Sequence, residues 1–356
     1  MQATILEKWG KKPFLIAGPC SAETEEQVLE TAVRLKNTGK IDLLRFGIWK
    51  PRTRPGSFEG VGEIGFEWLK KAKDLTGLPL TIEVATPQQV ELALKNSIDV
   101  LWIGARTTVN PFSIQALADA LQHVDIPILI KNPVNPDLEL WVGAIERFSK
   151  AGIKHIGLIH RGFSSYGDMV YRNTPMWHLA IEMRRRFPDL MLIGDPSHIC
   201  GRRDILGDVA QTAIDLNFDG LMIESHIQPD EAWSDAKQQI TPENYQKLIE
   251  NIRWRQSETA VENFTASVSS MRDSINQIDD QLLKLLSERM KIAETIGTFK
   301  KENNITILQT NRWNHILERA IAIGLELNLS KEFIIRYLEA VHLESINHQY
   351  KVMKGE

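Results

Sequence analysis

Eight short runs of apolar and β-branched residues recur between residues 13 and 226, and stretches of helical length separate them. The runs are continuous rather than alternating, which is typical of parallel strands that are buried on both faces. Eight alternations of strand and helix predict a (β/α)₈ barrel, whose active site lies at the carboxyl ends of its strands. The predicted strands cover residues 13–20, 42–47, 78–84, 99–105, 126–132, 155–162, 190–195 and 220–226.

The pattern changes near residue 255. The following stretch is polar and has no strong apolar period, so we predict a linker there. Beyond it the sequence predicts three helices, over 268–302, over about 310–328, and from Ser330 onward with that serine as the N-cap. The predicted domains are an α/β barrel over residues 1–255, a linker over 256–267 and a small all-α domain over 268–356.

The long first helix of the second domain predicts an oligomer. A helix of this length cannot bury its whole apolar side against two shorter helices. We therefore expect a homo-oligomer, at least a dimer, that forms through the helical domain. The apolar side consists of Ile275, Ile278, Leu282, Leu285, Ile292, Ile296 and Phe299.

Composition narrows the class of protein. The chain has 356 residues, of which 43% are hydrophobic and 25% charged, as is ordinary for a soluble enzyme. A net charge of -4 gives no indication of nucleic-acid or membrane binding, and no apolar run is long enough to span a bilayer. The N-terminus lacks the apolar segment of a signal peptide, and Cys20 and Cys200 are the only cysteines. We expect a cytoplasmic protein with reduced thiols that acts on small molecules.

Potential metal ligands follow several of the predicted strands. His198 comes just after the seventh strand, Glu224 ends the eighth with Asp235 a short way beyond, and Cys20 ends the first. These four side chains converge if the strands are parallel neighbours. Their sulfur, nitrogen and oxygen donors suit a divalent transition metal better than Ca²⁺ or Mg²⁺, and Mn²⁺, Fe²⁺, Co²⁺ and Zn²⁺ all fit the set.

Cationic side chains cluster at the same predicted strand ends. Like charges at one barrel mouth repel each other unless anions bind between them, and arginine forms bidentate hydrogen bonds to carboxylate and phosphate. We therefore expect a polyanionic substrate that carries phosphate, beside a metal that polarises a carbonyl group. The cations are Arg45, Lys50, Arg52, Arg54, Arg106, Lys131, Arg161, Arg202 and Arg203.

The segment GVGEIG over residues 60–65 matches the G-x-G-x-x-G pattern of dinucleotide-binding sites, and Glu83 follows at a suitable distance. Such a site needs its glycines directly after a strand. Here the segment KPRTRPGSFE intervenes, so we interpret these residues as loop glycines.

Several motifs in order along the barrel carry a resemblance to a known family. They are AGPCS at 17–21, KPRT at 50–53, IGAR at 103–106, GDPSH at 194–198, IES at 223–225 and SDAKQ at 234–238. With these motifs, residues 13 to about 250 resemble the 3-deoxy-D-arabino-heptulosonate 7-phosphate (DAHP) synthases. The resemblance is to the class related to the 3-deoxy-D-manno-octulosonate 8-phosphate synthases, and KPRT favours the heptulosonate enzyme.

The resemblance implies a condensation of phosphoenolpyruvate with erythrose 4-phosphate that yields DAHP and phosphate. It implies catalytic roles for Lys50 and His198. Two departures from the family pattern, HRG at 160–162 and KNP at 131–133, both keep the cation. We interpret Cys200 as a buried apolar residue, with an oxidative bond to Cys20 as an alternative hypothesis. The implied site comprises metal ligands Cys20, His198, Glu224 and Asp235; phosphoenolpyruvate ligands Arg45, Lys50, Arg106, Lys131 and Arg161; and erythrose 4-phosphate ligands Lys50, Pro51, Arg52 and Thr53.

The long helix of the second domain also carries cations in a distinctive arrangement. Arg289 and Lys300 are 11 residues apart and share a helix face, whereas Arg272 lies about 100° around the axis from Arg289. Arg272 is therefore placed to serve the pocket of a partner subunit. Residues 268–350, which include MRDSINQIDDQLLKLLSERM at 271–290, resemble the helical chorismate mutases.

The mutase resemblance implies a site shared between two subunits. One subunit supplies Arg272, and the other supplies Arg289, Lys300, Gln309, Arg312, Ser345 and Gln349. The two arginines Arg272 and Arg289 would hold the carboxylates of chorismate. Lys300 and Gln349 would stabilise charge on the breaking ether oxygen during the rearrangement to prephenate, which needs no metal.

Two departures leave two roles open for the helical domain. Trp313 replaces a glutamate that commonly binds the substrate hydroxyl, and Gln309 replaces a common aspartate. The domain is either a chorismate mutase or mainly an allosteric sensor of prephenate or chorismate with weak or no turnover. About a dozen residues precede the first predicted strand, so we expect any feedback control to use the helical domain. The sequence thus predicts a bifunctional enzyme, a transferase and an isomerase, of the shikimate pathway.

Overall fold

Eight parallel strands close into a barrel in chain order, with β8 paired to β1. All eight strands predicted from the sequence are present, and the computed structural model describes residues 2–51, 56, 58–166, 170–256 and 262–355. The predicted (β/α)₈ or TIM barrel is confirmed. The strands are β1 (Phe14–Gly18), β2 (Leu43–Arg45), β3 (Leu80–Val84), β4 (Val100–Ile103), β5 (Ile128–Lys131), β6 (Ile156–His160), β7 (Met191–Gly194) and β8 (Gly220–Glu224).

Helices follow the strands and form the outer layer of the barrel, and three more helices complete the chain. Those of the barrel region are α1 (Gln2–Lys8), α2 (Glu25–Asn37), α3 (Gly65–Thr76), α4 (Pro87–Lys95), α5 (Ala105–Thr108), α6 (Pro111–Ala120), α7 (Leu138–Lys150), α8 (Trp177–Arg186), α9 (Pro196–Cys200), α10 (Leu206–Asp215) and α11 (Pro242–Asn251). The last three are α12 (Glu262–Glu302), α13 (Thr310–Glu326) and α14 (Lys331–Lys354).

Side chains alternate between the inside of the barrel and the helix layer. On β7, Met191 and Ile193 pack in the interior cluster, whereas Leu192 packs with the outer core. This alternation follows from the two-residue period of a strand. At the carboxyl ends of β2 and β8 the next inward position is polar, with Arg45 and Glu224 respectively. The strand period therefore places charged groups at the barrel mouth above an apolar interior.

The glycine-rich segment after β2 is a loop, as the sequence indicated. Gly60 and Gly62 have φ angles of 103° and 72°, in the region that favours glycine. A Cβ on Gly60 would lie 2.2 Å from the carbonyl oxygen of Ile48, so the chains pass too closely for any larger residue. These glycines serve a tight turn rather than a dinucleotide site.

The chain divides into two compact units, Met1–Ser257 and Glu258–Glu356. The predicted linker over 256–267 is wrong in its second half, because α12 already includes residues 262–267. This stretch is mostly polar but contains neither glycine nor proline, so nothing in its sequence stops a helix. The first half, residues 257–261, lies outside the described residues.

Within the helical unit, α14 packs against both α12 and α13. Glycines allow these close contacts, since a Cβ on Gly297 would lie 3.2 Å from the backbone of Gln349. Ser330 caps α14 as predicted, accepting a hydrogen bond from the backbone N–H of Phe333. The apolar side of α12 is exposed within one chain: Ile278 and Leu285 are 55% and 61% exposed. No helix in the described part of the chain is both long enough and apolar enough to cross a membrane.

Candidate functional site

The predicted metal ligands converge at the barrel mouth. Ligand atoms of Cys20, Glu224 and Asp235 all lie within 4.8 Å of one another. The Cys20 thiol donates a hydrogen bond to Asp235 Oδ2 over 3.0 Å, and His198 Nε2 lies 3.5 Å from Glu224 Oε1. The structure therefore brings together one sulfur, one imidazole nitrogen and two carboxylates from four separate segments.

The chemistry of this cluster fits a divalent metal ion. Glu224 Oε1 is buried and accepts no hydrogen bond from any described residue. Burial would raise the pKa of Glu224, but the positive charges of His198, Arg45 and Lys50 lower it on balance. Burial and the negative charge of Glu224 raise the pKa of the Cys20 thiol, against the opposing effect of the Lys50 ammonium group. A carboxylate oxygen that accepts no hydrogen bond, beside a thiol and an imidazole, is a donor set of the kind that borderline transition metals prefer.

Asp195 fixes the orientation of His198. Its carboxylate caps α9 by accepting the backbone N–H of His198 over 3.1 Å, and Oδ2 lies 2.8 Å from the ring Nδ1. The same oxygen accepts a hydrogen bond from Lys131 Nζ over 2.8 Å. This arrangement directs the other ring nitrogen, Nε2, toward Glu224. Carboxylates that orient a metal-binding histidine in this way raise metal affinity.

Arg45 is a buried cation with free donor capacity. Its Nη2 lies 3.2 Å from Glu224 Oε1, and its guanidinium lies 4.9 Å from the ring centre of Trp102. Its Nε and Nη1 atoms are buried without a hydrogen-bond partner among the described residues. A buried guanidinium with unused N–H groups is suited to an anionic substrate.

Lys50 lies between the candidate metal ligands and the other cations of the barrel mouth. We call Arg45, Lys50, Arg106, Lys131 and Arg161 together the cationic wall. Its ammonium group donates a hydrogen bond to the Cys20 thiol and lies 3.5 Å from Asp235 Oδ2. Burial would lower the pKa of Lys50, but the neighbouring groups Cys20, Glu224 and Asp235 raise it on balance. Lys50 is thus held as a cation in the middle of the site.

The other residues predicted to bind the substrates lie on the elements around Lys50 and the candidate metal ligands. Lys131 ends β5, and Arg161 follows β6 and donates a hydrogen bond to Asn173 Oδ1 over 2.7 Å. Burial, together with the nearby charges of Arg172 and Arg106 and against the opposing charge of Asp195, lowers the pKa of Arg161 to about 10. Arg106 lies on α5 with its side chain exposed. Pro51 is half-buried beside Lys50, whereas Arg52 and Thr53 lie outside the described residues.

Several site residues were not found by sequence reasoning. Arg172 lies 2.9 Å from Asp235 Oδ1 and donates a hydrogen bond to Gln238, whose amide in turn donates to Glu224 Oε2 over 2.6 Å. Glu83, noted only for the glycine pattern, accepts the indole N–H of Trp102 over 3.0 Å. The strand period would have placed Glu83 inside the barrel, but no pattern marks Arg172 in its irregular loop.

His160 belongs to the outer core rather than to the site. Its neighbours Ile159 and Arg161 point into the barrel, so the side chain of His160 points toward the helices. Its ring lies 5.3 Å from Trp177 and 5.7 Å from Phe163, centre to centre. Burial lowers its pKa to about 3, so it is neutral. The substitution in HRG therefore changes packing and leaves the cation at 161 in place.

Cys200 is also part of the outer core. It packs in the large apolar cluster between strands and helices, and its thiol lies 3.7 Å from the carbonyl oxygen of Ile205. Burial raises its pKa to about 12, which makes the thiol unreactive. These contacts support its interpretation as a small apolar residue.

The helical unit brings together part of its predicted site. Arg289 donates a hydrogen bond to the hydroxyl of Ser345, and Lys300 donates to the carbonyl oxygen of Ile307 over 2.6 Å. Gln349 is buried, and its Oε1 accepts no hydrogen bond within the described ranges. The predicted residues at the margins, Gln309, Arg312 and Arg272, have exposed side chains.

Trp313 stacks on a histidine of α14. The rings of Trp313 and His342 are nearly parallel, with centres 4.3 Å apart and an angle of 18° between planes. His342 was not a predicted site residue. It lies three residues before Ser345, so the two side chains share a face of α14.

A closed barrel with buried cations around a thiol, an imidazole and two carboxylates is the arrangement of a (β/α)₈ enzyme, with a mouth whose charges suit anionic substrates. Residues 2–262 match the family model described as the DAHP synthetase I family. Residues 271–350 match the model described as chorismate mutase type II. The chain belongs to the DAHP synthetase I family and carries a chorismate mutase domain after the barrel.

Similar proteins agree with this assignment. A phospho-2-dehydro-3-deoxyheptonate aldolase of Thermotoga maritima is 33% identical over 239 residues, which cover 67% of this chain and 68% of that protein. A 2-dehydro-3-deoxyphosphooctonate aldolase of Vesicomyosocius okutanii is 25% identical over 67% of this chain and 89% of its own. The crystal structure of a DAHP synthase from Thermotoga maritima has a TM-score of 0.60 at 32% identity, over 67% of each chain. The predicted bifunctional enzyme, a transferase and an isomerase of the shikimate pathway, is confirmed.

Proposed function

We propose that the barrel condenses phosphoenolpyruvate with erythrose 4-phosphate in a metal-dependent reaction that yields DAHP and inorganic phosphate. One observation carries this proposal: the buried guanidinium of Arg45, whose Nε and Nη1 atoms have no hydrogen-bond partner among the described residues, is ion-paired with Glu224 Oε1, which accepts no hydrogen bond from them. An anion and a metal ion would satisfy these atoms together. Cys20, His198, Glu224 and Asp235 would hold Mn²⁺, Fe²⁺, Co²⁺ or Zn²⁺, and the bound metal would polarise the aldehyde of erythrose 4-phosphate.

The cationic wall would bind and orient phosphoenolpyruvate. Its carboxylate and phosphate carry negative charge that matches the guanidinium and ammonium groups. After the methylene carbon has attacked the aldehyde, water adds to the electron-deficient carbon that bears the phosphate, and inorganic phosphate leaves from that carbon. The phosphate remains charged, so the same cations stabilise the leaving group. We assign this role to Arg45, Lys50, Arg106, Lys131 and Arg161.

Lys50 is placed to act on the aldehyde. When the methylene carbon of phosphoenolpyruvate forms the new bond, the aldehyde oxygen takes up an electron pair and a proton. The Lys50 ammonium lies against Cys20 and Asp235, so it can stabilise and protonate this oxygen. Asp195 holds His198 in one orientation during the reaction. The sequence motif assigns erythrose 4-phosphate to Lys50, Pro51, Arg52 and Thr53.

The synthase proposal is tested with protein stripped of metal and then reloaded with one divalent ion at a time. We expect phosphoenolpyruvate loss with erythrose 4-phosphate only after reloading. Arabinose 5-phosphate serves as the control sugar, and it should not react. A reaction with arabinose 5-phosphate alone would show that the interpretation of KPRT is wrong, and equal rates without metal would refute the metal site.

We further propose that the helical domain rearranges chorismate to prephenate in a homodimer. Arg289 and Lys300 lie on one face of α12 beside Ser345 and Gln349 of α14, whereas Arg272 lies some 25 Å along the same helix from Arg289, by the rise of about 1.5 Å per residue. Arg272 would therefore complete the site of the other subunit. The exposed apolar side of α12 supports an interface between copies. Gln309 and Arg312 would close the pocket at its margin.

The shared site is tested by mixing two inactive variants. Arg272→Ala and Arg289→Ala should each abolish mutase activity. If Arg272 acts across the dimer, a mixed dimer has one intact site, so equal mixing should restore about one quarter of the activity. No recovery after mixing and subunit exchange would show that Arg272 does not serve the partner's pocket.

A second role for the helical domain is an allosteric sensor with weak or no mutase activity. The stack of Trp313 on His342 favours it, because an indole cannot accept a hydrogen bond from the substrate hydroxyl. Prephenate binding by calorimetry, measured beside chorismate turnover, separates the two roles. Loss of prephenate inhibition of the synthase on deleting residues 258–356 would support control through this domain. The cytoplasmic location stays a prediction.

A further inference from the structure

Two buried polar atoms of the helical unit lack partners. Among the described residues of this unit they are Nε2 of His342 and Oε1 of Gln349. A buried polar atom without a hydrogen bond destabilises the folded state. Such atoms persist where a ligand satisfies them. Gln349 already belongs to the proposed mutase site, whereas His342 has no assigned role.

The two atoms belong to residues on the same face of α14. His342, Ser345 and Gln349 follow each other at spacings of three and four residues, so they share one face of α14. Ser345, between them, binds the guanidinium of Arg289. The ring of His342 is held in place by the stacked indole of Trp313. His342 is therefore a rigidly positioned group at the border of the proposed substrate pocket.

The charge state of His342 limits what it can bind. Burial lowers its pKa, and the positive charges of Arg289 and Lys300 lower it further, so the ring is neutral. The carboxylates of the substrate already have the arginines as partners. A hydroxyl group matches a neutral imidazole nitrogen in either tautomer, because it both donates and accepts hydrogen bonds.

We propose that His342 binds the ring hydroxyl of the mutase substrate through Nε2, with Trp313 fixing the imidazole by stacking. This inference rests on the proposed mutase function of the helical domain. In this arrangement the neutral imidazole of His342 on α14 binds the hydroxyl in place of a carboxylate at position 313, where this chain has tryptophan. A site that hydrogen-bonds a substrate hydroxyl discriminates against an analogue that lacks it.

The test combines two substitutions with two substrates in the full-length protein. His342→Phe keeps an aromatic ring for the stack and removes the nitrogen, whereas His342→Gln keeps a polar group. The substrates are chorismate and its analogue without the ring hydroxyl. His348→Gln is the matched control on the same helix, because His348 is paired with Glu294 and Glu344. Synthase activity of each preparation reports whether the barrel is intact.

For the unaltered protein and His348→Gln we expect kcat/KM to be about 10-fold higher with chorismate than with the analogue. His342→Phe should lower kcat/KM for chorismate about 10-fold and leave the analogue unchanged, so that the preference disappears. His342→Gln should retain most of the preference. A His342→Phe protein that still prefers chorismate would overturn the proposal.

A separate readout distinguishes this inference from the proposed mutase function. If the unaltered protein does not turn over chorismate, the mutase proposal fails, and prephenate binding is measured by calorimetry instead. About 10-fold weaker binding by His342→Phe alone would then support His342 as a ligand-binding residue of a sensor. Equal binding by all variants would overturn the inference as well.

Discussion

Lys50 in the barrel and Lys300 in the helical unit show how differently the two sites are built. Burial acts to lower the pKa of both lysines. Around Lys50, the groups Cys20, Glu224 and Asp235 outweigh burial and raise the pKa. Around Lys300, burial lowers the pKa, and no described carboxylate offsets it. The barrel site thus contains its own counter-charges, whereas the cation of the helical site depends on the ligand.

This difference follows from architecture. Eight strand ends bring cations and anions to one mouth, so the pairs Arg45–Glu224 and Lys131–Asp195 form within a single chain. Three helices offer far fewer converging positions, and the long apolar side of α12 stays exposed within one chain. We infer that the barrel site is complete in a monomer, whereas the helical site needs a second copy and an anionic ligand.

The largest effect is expected at the candidate metal site. Cys20→Ala removes one donor and should reduce synthase activity at least about 1,000-fold, with mutase activity unchanged. Cys200→Ala is the matched control, because Cys200 packs in the outer core. Metal content by elemental analysis should fall only for Cys20→Ala. If Cys20→Ala kept more than a tenth of the activity, the proposed ligand set would be wrong.

Disruption of the exposed apolar side of α12 should affect only the mutase reaction. Leu282→Asp places a charge at a position that is 47% exposed in one chain and should prevent the dimer. Mutase activity should then fall about 100-fold, because Arg272 of the other subunit is lost, while synthase activity stays. Leu75→Asp on α3, at a residue that is 56% exposed, is the control. Sedimentation velocity reports the oligomeric state. A monomeric Leu282→Asp protein with full mutase activity would contradict the shared site.

A smaller effect is expected from the carboxylate that orients His198. Asp195→Asn can still cap α9 but loses the charge beside the imidazole and Lys131, so metal affinity should fall about 10- to 100-fold. Asp137→Asn is the matched control, because Asp137 caps α7 in the same way. Metal titration of the metal-free Asp195→Asn and Asp137→Asn proteins measures the metal affinity of each variant. Equal affinities would mean that Asp195 does not support a metal ligand.

The smallest effect concerns pH. A lysine with a lowered pKa loses its positive charge at a lower pH than usual, so kcat/KM of the mutase should fall as pH rises through the pKa of Lys300, below 10.5. Lys50 has a raised pKa and should keep its charge over that range. Lys300→Arg should shift the decline of mutase activity to higher pH. If the mutase activity of Lys300→Arg declined over the same pH range as that of the unaltered protein, a group other than Lys300 would cause the decline.

The sequence predicted the strands well and the surroundings of the site less well. Continuous apolar runs reveal buried strands, and strand ends revealed Cys20, His198 and Glu224. Asp195 was visible in GDPSH, three residues before His198, but its role also depends on Lys131, which reaches it from the end of β5. Tertiary contacts of this kind leave no local pattern.

Two further differences have clear physical reasons. The outward orientation of His160 follows from the strand period, which a motif comparison does not take into account. The early start of α12 could not be found from apolar periodicity, because its first residues are mostly polar and show no apolar period. In the helical unit, the stack between Trp313 and His342 joins two helices and therefore had no signal in either one.

We propose that one chain carries a metal-dependent synthase and a metal-independent mutase at separate sites. The most direct test uses one metal-loaded preparation, assayed before and after addition of EDTA. One assay follows the loss of phosphoenolpyruvate in the presence of erythrose 4-phosphate, and the other follows the loss of chorismate. We predict that EDTA stops the first reaction and leaves the second unchanged. Loss of both activities, or a synthase that continues in EDTA, would contradict the account.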